Sequence, residues 1–206
     1  MALCPPLRKK ASAGEIVYDL NFDLHVRTAT WNVDLVLGRP ALADKGGDEA
    51  IVRAPPSTVE VAIEIKSVMT EHRKAVKNRK RDLEAHHEHV RSYNPRTISA
   101  GVFVVNQALK FASPLRPAPI LHGAGKRDRV QALVTHCMSE MRNVEERSDV
   151  SRTGIDAKCV IVVDMDNVSL RDTQYQTRPP APQIGDPLHY DAFLQKICSL
   201  YQDRFL

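Results

Sequence analysis

Long apolar runs are missing from this chain. No stretch approaches the roughly 18 consecutive apolar residues that a membrane helix needs, so no spanning helix is expected. The segment Met1 to Lys10 has no apolar core after a basic opening, so it does not read as a secretory signal. The expected location is the cytoplasm. Cysteine is scarce: Cys4, Cys137, Cys159 and Cys198 are far apart and form no CxxC pair. That argues against a zinc site or a redox dithiol and predicts reduced, mostly buried thiols. A phosphate-binding glycine loop is also lacking, because Gly123-Ala124-Gly125-Lys126 has the wrong spacing and follows no strand directly. No serine elbow or Cys/His nucleophile pattern occurs. Neither sign of charge dominates. The net charge of +4 permits nucleic-acid binding without requiring it.

What is present is ordinary in bulk and specific in pattern. The 206 residues are 43% hydrophobic and 26% charged, enough for a single α/β domain with a sizeable core. Residues 1–14 read as an irregular lead-in. Glu15 to Val26 and Thr30 to Leu37 read as a strand pair turned at Arg27-Thr28-Ala29. In the second strand, Trp31, Val33, Leu35 and Leu37 are expected on one face, and Asn32, Asp34 and Val36 on the other. Residues 38–57 contain Gly38-Arg39-Pro40, Gly46-Gly47 and Pro55-Pro56 and read as a long loop, either a binding loop or a disordered one.

Val59 to Lys66 alternates cleanly. Val59, Val61, Ile63 and Ile65 are expected on one face, with Glu60, Ala62, Glu64 and Lys66 on the other. Thr70 is the expected N-cap of a helix running to about Ser92, with Met69, Val76, Leu83 and Val90 as its apolar stripe. Ile98 to Val105 and Lys158 to Val163 read as strands buried on both faces. Lys126–Glu146 and Tyr190–Phe205 read as amphipathic helices. The order predicts a mixed β-sheet flanked by helices. Antiparallel strands come first, and helical crossovers then join parallel ones.

One constellation could carry chemistry. Phosphodiester hydrolysis needs a cation on the phosphate, a nucleophilic water and stabilisation of the departing oxygen. Asp34 and Glu64 are carboxylates on separate strands. Lys66 is two residues beyond Glu64, on the same expected face. Magnesium favours hard oxygen ligands and keeps several waters, so two carboxylates and the main-chain carbonyl of Ile65 could suffice. The helix after Lys66 is basic: Arg73, Lys77, and Lys80 or Arg81 recur at i, i+4 and i+7. Such a row can track a phosphate backbone or simply be a solvated face. His86, His87 and His89 do not converge on a helix and are expected at the surface. Asp164 and Asp166 are expected to be strand-end cap or turn acids, and Glu15 to be solvated.

An acid on the second strand, a Glu-x-Lys on the third and a basic helix directly after resemble the PD-(D/E)xK nuclease superfamily. The likeness covers roughly residues 15–106, with residues 107–206 as a C-terminal extension. Val33 stands before Asp34 where that family usually has proline. The resemblance implies an αβββαβ core with a C-terminal αβα extension, in one domain. It also implies Asp34, Glu64 and Lys66 as catalytic residues, with Mg2+ held by Asp34, Glu64 and the Ile65 carbonyl. Arg73, Lys77, Lys80 and Arg81 would contact double-stranded DNA. The function implied is that of a type II restriction enzyme, often a homodimer paired with a DNA methyltransferase. A nuclease acting on RNA or repair intermediates, or a non-catalytic nucleic-acid-binding domain, are the alternatives.

Overall fold

The computed structural model describes residues 4–26, 29–41, 51–70, 73–113, 120–169 and 171–206. A short helix, Pro5–Ser12 (α1), leads into the strands Val17–Val26 (β1) and Ala29–Arg39 (β2). Val52–Arg53 (β3) and Thr58–Val68 (β4) follow, then the helix Arg73–Tyr93 (α2) and the strand Ile98–Asn106 (β5). Lys110–Phe111 (β6) and Ile120–Leu121 (β7) form a separate two-stranded ribbon before a 3-10 turn at His122–Gly125. Arg127–Arg142 (α3), Ala157–Asp164 (β8), Gln174–Tyr175 (β9) and Tyr190–Phe205 (α4) complete the chain.

The main sheet has seven strands in the order β3-β1-β2-β4-β5-β8-β9. β1, β2 and β4 pair antiparallel, whereas β4, β5 and β8 are parallel. Parallel neighbours cannot be joined by tight hairpins, so a helix follows each: α2 between β4 and β5, and α3 between β5 and β8. This is the mixed α/β sheet expected. Among the described residues no helix is long and apolar enough to cross a membrane.

Helices cover both faces. Val76 and Leu83 of α2 meet Leu133, Val134, Cys137 and Met141 of α3 over Phe103, Val105, Val160 and Val162. On the other face Phe193, Ile197 and Tyr201 of α4 and Leu7 of α1 cover Val61, Ile63, Ile98, Ala100 and Val102. β5 and β8 therefore bury both faces, which is why they read as unbroken apolar runs.

Several expectations are corrected. Residues 5–12 are helical rather than irregular, with prolines in the first turn, where a missing N–H costs nothing. Val52 and Arg53 pair with Val17 and Tyr18, so the expected loop contains a short edge strand. Cys4 and Cys198 form a disulfide rather than two free thiols. They are 194 positions apart, and only the docking of α1 on α4 brings their Cα atoms to 5.3 Å. Cys137 and Cys159 are the buried thiols expected, each pushed up to about 12 by burial. The turn expected at 27–29 and the helix cap expected at Thr70 involve residues 27–28 and 71–72, which lie outside the described residues.

Strict alternation fails at two places. Asn21 has a positive φ of 52°, and the β1–β2 ladder skips the position where it would face Asp34. Below that point Leu35 and Leu37 pack on the α4 side; above it Trp31 and Val33 pack on the α2 side. The four do not share a face. A second irregularity sets Leu37 against Val61 but Gly38 against Val59, so Glu60 is an extra residue in β4. Gly38 permits this: a Cβ there would stand 1.9 Å from the Thr58 carbonyl oxygen. The bulge turns buried Glu60 to the α4 side, where it accepts from Arg39 Nε at 2.7 Å and Tyr201 Oη at 2.5 Å. Glu60 and Glu64 therefore face opposite ways, contrary to simple alternation.

Candidate active site

The ladder between β2 and β4 runs as far as Leu35–Ile63. Beyond it the Asp34 side chain takes the place of a backbone partner: Oδ2 accepts from the Ile65 N–H at 2.6 Å. In an extended strand the N–H and C=O of one residue point to the same side. The Ile65 carbonyl is thus presented toward the side from which Asp34 approaches. Asp34 is thereby held against Ile65, the residue after Glu64.

Glu64 lies on the α2 side of β4 and is buried. Gly101 of β5 is its lateral neighbour, and the missing side chain there lets Leu83 of α2 come close. Glu64 Oε1 accepts from the Lys66 ammonium. Glu64 Oε2 is enclosed and has no hydrogen-bond partner. Burial holds the Glu64 carboxyl above its usual range. Lys66 draws it back, and the negative charges of Asp34 and Asp82 raise it further. An ionised carboxylate oxygen left without a donor in a buried place is unfavourable unless a cation reaches it.

α2 supplies residues that sequence reading missed. His86 is fully buried, with Nδ1 at 3.6 Å from Glu64 Oε2. Its Nδ1 accepts from the Trp31 indole at 3.3 Å, and its Nε2 donates to the Ala62 carbonyl at 3.4 Å. Burial depresses its pKa to about 3, so it is neutral. Trp31 also stacks on His89, with ring centroids 4.4 Å apart. His87 is buried as well and accepts from the Gly154 N–H at 2.8 Å. The expectation of surface histidines fails because α2 is enclosed by the sheet on one side and by residues 153–155 on the other. A detectable signal existed: Asp82, His86 and His89 recur at i, i+4 and i+7, and Trp31 is the chain's one tryptophan.

The basic residues divide. Lys77 and Arg81 are exposed. Lys80 is 3.7 Å from Glu84, and neighbouring Arg79 3.3 Å from Asp82. The side chain of Arg73 lies outside the described residues. Asp164 and Asp166 are on β8 and the turn after it, with β5 between them and β4. Asp166 accepts from the N–H groups of Val168 and Ser169, and Arg171 reaches both acids, so they organise a turn. Glu15 is exposed, beside Lys10 and Arg39.

The donor set fits a hard divalent cation. It offers the Asp34 carboxylate, the unpartnered Glu64 oxygen and the Ile65 carbonyl, leaving other positions to water. Among the described residues no group of three or more His, Cys, Asp or Glu side chains could hold a metal ion. No family model, no characterised protein and no solved structure matches this chain.

Proposed function

We propose that the chain is a Mg2+-dependent endonuclease of the PD-(D/E)xK kind that hydrolyses phosphodiester bonds in double-stranded DNA. One observation carries this: Glu64, ion-paired with Lys66 through one oxygen, keeps an enclosed oxygen without a hydrogen-bond partner, and the next residue, Ile65, has its N–H held by Asp34. Apart from the two-residue edge strand β3, the order α1, β1, β2, β4, α2, β5 is in keeping with an αβββαβ core. Asp34, Glu64 and the Ile65 carbonyl would hold Mg2+. When bound, the ion polarises the phosphate and lowers the pKa of water. Lys66, its side chain 20% exposed, draws Glu64 toward its ionised form against the effect of burial and can swing its ammonium toward an attacking water or the scissile phosphate. The exposed ammonium of Lys77 and guanidinium of Arg81 would contact the phosphate backbone along α2, and the resemblance adds Lys80 and Arg73 to that set.

The proposal extends by resemblance to a restriction enzyme acting as a homodimer, paired with a DNA methyltransferase, in the cytoplasm. That compartment would keep the Cys4–Cys198 pair under reducing pressure.

The test is plasmid cleavage with and without Mg2+, with single-stranded DNA and RNA as competing substrates. Lys66→Ala should lower the rate by roughly 10²–10³ while leaving Mg2+ binding in place. Asp34→Ala should fail through metal binding, so high Mg2+ should recover part of its rate. A folded Lys66→Ala protein cutting at the wild-type rate would refute the assignment. Cleavage of RNA alone would redirect it to a ribonuclease.

A further inference from the structure

We infer that Trp31 sets the metal preference of this site, by occupying the one imidazole lone pair that could otherwise join the ion's shell. The inference rests on the metal-site proposal above. Ala62 offers His86 a carbonyl oxygen, which can only accept, so Nε2 carries the ring proton. Trp31 offers an indole N–H, which can only donate, so Nδ1 presents its lone pair to Trp31. The two contacts together fix one neutral tautomer in a fully buried ring.

That lone pair is close to the metal ligands. His86 Nδ1 is 3.6 Å from Glu64 Oε2, the oxygen without a partner. Neither atom has a proton for the other. Two ligands of one ion, each bonded at about 2.1 Å, stand about 3.0–3.4 Å apart. A ring shift of a few tenths of an ångström would therefore bring Nδ1 into the shell, were it not held by the indole. The indole is itself held in place by its stack on His89.

Imidazole nitrogen suits zinc, cobalt and nickel, whereas carboxylate, carbonyl and water suit magnesium. With Nδ1 occupied, the site offers oxygen only. Trp31 is thus a positioning residue: it touches neither metal nor substrate and acts through His86.

Cobalt reads this directly, because nitrogen ligation changes its visible absorption. Co2+ is titrated into the wild type, Trp31→Phe, Trp31→Phe/His86→Gln and Asp34→Ala, with Mg2+ as competitor and a thermal melt for each. Phenylalanine keeps one ring for the His89 stack and removes the donor together with the second ring of the indole. The wild type should bind Co2+ with an oxygen-only spectrum. Trp31→Phe should acquire a nitrogen-ligated spectrum and raise the Co2+ to Mg2+ affinity ratio by roughly tenfold. The double variant should revert to the wild-type spectrum. If Asp34→Ala abolishes binding but Trp31→Phe matches the wild type, the inference is wrong and the metal site stands. If no protein in the set binds either ion, or if Asp34→Ala binds as the wild type does, the metal-site proposal falls and takes the inference with it. Should Trp31→Phe not fold, ¹⁵N spectra of wild-type His86 decide: a proton on Nδ1 instead of Nε2 overturns the tautomer on which the inference stands.

Discussion

Replacing Glu64 by glutamine should reverse the stability order of two proteins when a divalent ion is added. Glu64 is 3% exposed, with one oxygen on Lys66 and the other without a partner. Moving such an ion out of water costs several kcal/mol, and the pair with the partly exposed Lys66 returns only part of it. The neutral amide avoids the ionic cost. Glu64→Gln should therefore be more stable than the wild type without metal, by about 1–2 kcal/mol. At this chain length that is about 2–8 °C in Tm. The pH dependence has a definite sign. The folded carboxyl is raised, chiefly by burial, so its contribution is fully present below the ordinary carboxylate pKa and is lost as pH rises through the folded value. The advantage of the glutamine should vanish in acid and open above that window. Mg2+ then acts the other way. At 100 times its Kd an ion bound only to the folded state adds about 2.7 kcal/mol, or about 5–11 °C, to the wild type and almost nothing to the variant. Differential scanning fluorimetry across Mg2+ and pH measures both signs. If Glu64→Gln is the less stable protein throughout and Mg2+ moves neither curve, Glu64 is only a structural partner of Lys66.

Three further outcomes follow from other parts of the molecule. Lys77→Ala/Arg81→Ala should weaken DNA binding and reduce its log–log salt slope by up to about 0.9 for each phosphate that is no longer neutralised; an unchanged slope would make this face merely solvated. Asp156→Ala should cost about 3–5 kcal/mol in urea unfolding, because it leaves Arg147 and Arg204 buried without their shared carboxylate. Burial alone would raise the Asp156 carboxyl, but the two guanidinium groups hold it below the usual range, so its contribution is present above the ordinary carboxylate pKa and lost as pH falls through the depressed one. Reduction of Cys4–Cys198, which closes a loop with a separation of 194 residues, should lower stability by up to about 5 kcal/mol, and Cys4→Ser/Cys198→Ser should show no response to reductant.

Much of the sheet was legible because its inner strands are buried on both faces. Ile98–Asn106 and Ala157–Asp164 announce themselves by apolar continuity, and the 0%-exposed Val76, Leu83 and Val90 by their spacing of seven. The pairing of Glu64 with Lys66 was also readable, since Glu-x-Lys places its two ends on one face whatever happens upstream. Alternation went wrong at Asn21 and Glu60, where one residue adopts a positive φ and another is inserted by a bulge. Neither leaves a mark in the hydrophobic pattern, because the residues on both sides keep alternating. His86 was missed for a different reason. Its neighbours on α2 are charged, and polar residues beside a histidine read as surface. Only the fold reveals that this part of the helix faces a carboxylate and a tryptophan from two different strands.

The bond between α1 and α4 makes the chain a closed ring from Cys4 to Cys198. A protease that cuts once within that ring opens it but releases nothing. On a non-reducing gel the product would migrate near the uncut protein, and only reductant would part it into two fragments. Two separately made pieces of the chain, divided within the ring and then folded and oxidised together, would be held by the same sulfur bridge.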